Sequence, residues 1–170
     1  MMSTATVFQL HLILGYVAWL LVLGSYALPR LRAMDRIAVH RAIAALHSFR
    51  FFGLVFLVPG VVGARLPPEF AVFAAYGDLA TGLLAMLALA TIRIPLLFWG
   101  FVAAFNLVGI VDLIADYVHA VEVDLPSMAG ELGPMYVIPI LYVPLLMITH
   151  VAAFILLLRS GPLRASHALP

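Results

Sequence analysis

The sequence predicts an all-α, polytopic integral membrane protein with five transmembrane helices in one domain over residues 1–170. Three observations predict it. Only 10% of the residues are charged and 65% are hydrophobic, whereas soluble domains carry about 25% charged residues. The apolar residues fall in five runs of the roughly 20 needed to cross a bilayer core. The arginines gather in alternate connections, as in a chain that threads back and forth.

The first span covers 6–28 and ends at Pro29. Its first basic neighbour is Arg30, so it reads as a retained helix and not a secretory leader. The second span covers 37–63 and follows the basic turn "PRLRAMDR". The third, 70–91, follows "LPPEF", where Pro68 suits a first helical turn. The fourth covers 95–120. The fifth covers 135–158, and Pro139 and Pro144 predict a bend in it. The connection 121–134, "VEVDLPSMAGELGP", has the proline, glycine and acidic content of a surface loop. The tail 160–170 reads as flexible. No internal repeat divides the chain.

Direction follows from the arginines. Arg30, Arg32, Arg36, Arg41, Arg93, Arg159 and Arg164 fall on one side, and Arg65 alone on the other, beside Glu69, Glu122, Asp124 and Glu131. The expected orientation is amino terminus out and carboxyl terminus in the cytoplasm. All nine basic residues are arginine, which points to a GC-rich bacterial genome and so to the bacterial cytoplasmic (inner) membrane. There is no cysteine, which excludes disulfides, thiolate-bound zinc and iron–sulfur clusters. The net charge of +1 is not gathered into a patch, so nucleic acid is not an expected partner. The expected partner is the lipid bilayer. Five spans are few for a carrier, so a homo-oligomer or larger membrane complex is a further expectation.

The polar residues within the spans are the candidates for function. From the rise of a helix, His47 and His150 lie about 10 and 13 Å in from the arginine-rich side, nearly level. Arg50 is one turn deeper. Asp78 lies about 12 Å from the other side, Asn106 is near the middle, and Asp112 and His11 are further out. Spacings of seven and three place His40, His47 and Arg50 on one stripe. Spacings of four and three place Asp112, Asp116 and His119 on another. A guanidinium stays protonated, so Arg50 needs an anion at its own depth. Asp78 is the first choice and Asp112 the second.

Four readings follow. His47 and His150 on separate helices suit bis-histidine ligation of haem b and a redox role, with Arg50 beside them. His11, Asp112, Asp116 and His119 suit a divalent metal reached from outside. Asp78, Asn106 and Asp112 as a buried polar or substrate site suit a proton-coupled small-molecule carrier. Polar contacts between helices also act as packing glue, which gives an accessory or structural subunit. No nucleophile elbow, P-loop, H-E-x-x-H or dinucleotide fingerprint occurs. The leading expectation is a membrane protein that binds a cofactor or small molecule at a His/Arg/Asp site.

Overall fold

The computed structural model describes residues 1–158, and those residues are helical with no strand among them. Arg159, Arg164 and the rest of the tail lie outside the described residues. Helix α1 covers Thr4–Ala33. It opens on Ser3, whose hydroxyl accepts from the Thr6 N–H and so satisfies one of the free donors of the first turn. The sequence led us to expect its end at Pro29, but the helix runs through. Proline lacks an N–H and crowds the carbonyl four residues back. A wider π turn, Leu23–Ala27, takes up that misfit, with the Leu28 N–H bonded to the Leu23 carbonyl.

Helix α2, Arg36–His47, is capped by Asp35, which accepts from the Ala38 N–H at 2.9 Å. At Ser48 it tightens into a 3₁₀ helix, Ser48–Leu57. The buried residues of this stretch are Arg50, Gly53 and Phe56, a spacing of three that matches three residues per turn. The stretch stops at Leu57, short of the expected residue 63. Val58 is extended, the conformation favoured before a proline, here Pro59.

Helices α3 (Pro68–Ala90) and α4 (Pro95–Glu122) each begin on a proline, where the missing N–H costs nothing. Helix α5, Ile138–Leu158, opens with a second π turn, Ile138–Tyr142, which ends two residues before Pro144. Gly15 of α1 seats against the freed Ile140 carbonyl, and the Trp19 indole N–H donates to Leu141 O at 2.8 Å. Helices α1, α3, α4 and α5 are long and apolar enough to cross a membrane, which marks the chain as a membrane protein. Large side chains such as Leu14, Leu21, Phe49, Leu83 and Leu107 point outward, as lipid-facing residues do.

The connection expected to be a surface loop is packed down. It contains a 3₁₀ turn, Ala129–Tyr136, and Leu125, Ala129 and Leu132 are buried. Gly133 takes a positive φ of 53°, which lets the chain turn close over the Val61 carbonyl. Together with Phe8, Phe56, Phe70 and Ile138, the connection forms one apolar layer, at the loop end of the bundle. A second layer, at the arginine-rich end, contains Val39, Ile43, Ala85, Phe98, Val102, Phe105 and Ala153. Polar side chains lie between the two.

Candidate functional site

The 3₁₀ stretch after α2 places Arg50 between the two apolar layers with no exposed surface. Its Nε donates to Asp78 Oδ1 of α3 at 2.6 Å. Its Nη2 donates to Asp112 Oδ2 of α4 at 2.5 Å. Its Nη1 donates to the Gly109 carbonyl at 3.3 Å and to His150 Nε2 of α5 at 3.2 Å. Four acceptors from three helices thus meet the five N–H groups of one guanidinium. Both carboxylates expected from depth alone are there, and they share the arginine.

The remaining hydrogens follow from the donors. Arginine only donates, so His150 Nε2 must be the acceptor and Nδ1 carries the proton. Nδ1 then donates to Asn106 Oδ1 at 2.9 Å, and the Asn106 amide donates to the Val102 carbonyl at 2.8 Å. His47 lies beside this chain. Its Nε2 meets Thr149 Oγ1 at 3.0 Å, and that hydroxyl donates back to Leu145 O and Leu146 O. His47 Nδ1 is buried without a partner.

Close approach of the backbones makes room for the cluster. A Cβ on Gly53 would land on the Asp78 carboxylate, and one on Gly77 on that of Asp112. A Cβ on Gly109 would meet His150 and Arg50. Spacing along the sequence does not single out Gly53, Gly109 or Thr149.

The two histidines do come together, but not as haem ligands. Their ring centroids are 4.0 Å apart at an interplanar angle of 40°, a stacking distance that leaves no room for a porphyrin. Both nitrogens of His150 are engaged. His47 and His150 therefore do not fit a bis-histidine haem b. The proposed outer metal set is dispersed. His11 Nδ1 bonds the Tyr136 hydroxyl at 3.0 Å, His119 stacks edge-on against Phe73, and Asp112 holds Arg50. Among the described residues no group of three or more His, Cys, Asp or Glu side chains is placed to hold a metal ion.

Asp116 has a different surrounding. It lines a cavity of about 240 Å³ that opens beyond the ion cluster toward the loop end. The walls are mostly apolar, including Phe8, Phe56, Phe70, Leu125 and Leu132. The polar wall groups include Asp78, Asp116, Tyr117 and Tyr142. Asp116 Oδ1 and the Tyr142 hydroxyl are buried and have no hydrogen-bond partner. The Tyr117 hydroxyl is fixed by that of Tyr16 in α1 at 2.7 Å.

The cavity has a tied roof. Arg65 Nη2 and Nε bond Glu131 Oε1 at 2.6 and 3.0 Å, and Gly63 N–H donates to the Glu131 carbonyl at 2.6 Å. The hydrogen bonds from Arg65 hold the Glu131 carboxyl below its ordinary value of 4.5. The apolar residues Leu125, Met128 and Leu132, spaced by three and four, are the sequence signal that this segment packs down.

No curated protein matches the chain, and no solved structure does. A family described as "Domain of unknown function (DUF8737)" matches residues 7–158, and the chain belongs to that family.

Proposed function

We propose that this protein sits in the cytoplasmic membrane of a bacterium with five spans and its amino terminus outside, and binds a small, largely apolar molecule with a polar head in the cavity above Arg50. The five-span reading rests on the length of the second span. With 12 residues of α-helix and 10 of 3₁₀ helix, it reaches about 38 Å, more than a bilayer core of about 30 Å. The orientation rests on Arg30, Arg32, Arg36, Arg41 and Arg93 at one end against Arg65 at the other.

The observation that carries the binding reading is the cavity itself. Its volume of about 240 Å³ is walled by apolar side chains on which a few polar groups converge, the usual form of a small-molecule site. Buried oxygens on Asp116 and Tyr142 lack partners, and a buried polar atom without a hydrogen bond is costly. A bound molecule that supplies a donor removes that cost. The Arg50 cluster plugs the inner end of the cavity and sets the register of the helices around it.

The test is saturable binding of 2-phenylethanol to the protein in nanodiscs, read by ligand-observed NMR. Ala74→Phe fills the cavity and should abolish the saturable component. Partition that never saturates, or that the filling substitution does not change, contradicts the reading.

A proton-linked carrier is the second reading. It is favoured by the hydrogen-bonded chain from Asp112 through Arg50 and His150 to Asn106, which leads from the cavity toward the arginine-rich end. Loss of uptake in Asp78→Asn with folding intact supports it, and unchanged uptake removes it.

A further inference from the structure

We propose that the cavity is selective for an organic ammonium, a small aromatic or aliphatic amine in its cationic form. This rests on the binding reading above and adds the class of ligand. The charges around the cavity carry the inference. Asp78 and Asp116 line it, with Asp112 directly behind. The cation among them is Arg50, and it is already held by Asp78 and Asp112. That leaves Asp116, whose Oδ1 is buried and unpartnered. Three carboxylates thus lie near one guanidinium. A carboxylate there without a partner takes up either a proton or a cation, and an ammonium supplies the cation.

The rest of the wall suits the same ligand. Asp116 Oδ1 and the Tyr142 hydroxyl are free to accept hydrogen bonds, and an ammonium donates up to three. Phe8, Phe56, Phe70, Tyr117 and Tyr142 add aromatic rings to the wall, and aromatic rings attract cations as well as hydrocarbon. An anionic ligand meets carboxylates and, among the described residues, no free cation. A neutral one offers Asp116 a hydrogen bond but no counter-charge. The size follows from the volume. A dry cavity of about 150 Å³ takes benzene, so 240 Å³ holds roughly ten non-hydrogen atoms by the same scaling. An acyl chain of a lipid is the competing occupant.

Three probes of matched shape test this in nanodiscs of zwitterionic phosphatidylcholine at neutral pH: 2-phenylethylamine, 2-phenylethanol and phenylacetate. The expected result is that the amine binds about tenfold or more tighter than the alcohol and that phenylacetate does not bind. Asp116→Asn should weaken the amine by about tenfold and leave the alcohol unchanged. Tyr142→Phe keeps the charges and should weaken the amine less. It serves as the second variant should Asp116→Asn fail to fold. Equal binding of amine and alcohol, or equal loss of both in the variants, overturns the ammonium assignment and leaves the binding reading standing. Saturable binding of none of the three overturns both and favours the acyl chain.

Discussion

Removing the charge of Arg50 should damage the protein far more than removing either carboxylate that holds it. In Arg50→Leu, Asp78 and Asp112 lose their cation, and His150 Nε2 and the Gly109 carbonyl lose a donor. Breaking a buried pair from one side costs about 3–5 kcal/mol, because it strands a charge. Asp78→Asn is different. It leaves Arg50 with Asp112, one cation and one anion, and an asparagine oxygen in place to accept from Nε. The cost should be about 1 kcal/mol, the scale of one hydrogen bond. Asp112→Asn is symmetrical in this respect. The triple variant Arg50→Leu, Asp78→Asn, Asp112→Asn strands no charge and should recover most of the loss, since coupled residues do not add. The assay is reversible unfolding in mixed detergent micelles. If either carboxylate variant is as unstable as Arg50→Leu, or the triple variant is no better than that single substitution, the shared-cation reasoning is wrong.

Three further outcomes follow from the same geometry. Gly77→Ala places a methyl on the Asp112 carboxylate and should destabilise by about 1–3 kcal/mol, as overpacking does, in the same unfolding assay. Solid-state NMR of ¹⁵N-labelled histidine should find His150 in the Nδ1–H form, and Asn106→Leu should remove that preference; an Nε2–H form contradicts the donor assignment. The tie between Arg65 and Glu131 should be pH-dependent. The Glu131 carboxyl sits below its ordinary 4.5 when folded, so its contribution is present above that value and is lost as pH falls through the folded one. Hydrogen exchange in 58–67 and 123–136 should accelerate over that acidic range, and Glu131→Gln should bring the faster exchange to neutral pH.

Depth was legible in the sequence, and direction around each helix was only partly so. The rise per residue put Arg50 and Asp78 near one level and Asp112 further out, and the three do meet. It also put His47 and His150 level, and their rings touch. Their role depends on which way each nitrogen faces, and depth does not give that. The change from α to 3₁₀ winding at Ser48 alters the turn per residue just where Arg50 needs to be aimed. The outer metal set failed for the same reason. Asp112 turns inward to Arg50, while His11 and His119 find the aromatic rings of Tyr136 and Phe73. The cavity was not legible from the spans at all. It exists because residues 123–136 fold over the bundle end, and their proline, glycine and acidic content masked the spacing of Leu125, Met128 and Leu132.

The central claim is a cavity open on one side of a buried ion cluster and sealed on the other. The chain has no cysteine, so single cysteines can be read without background. Ala74 lines the cavity, and Ala153 is buried in the layer beyond the cluster. In native vesicles, 2-hydroxyethyl methanethiosulfonate should modify Ala74→Cys much faster than Ala153→Cys, and 2-phenylethanol should slow only the former. Equal rates at the two positions, or no effect of the alcohol, would contradict the claim.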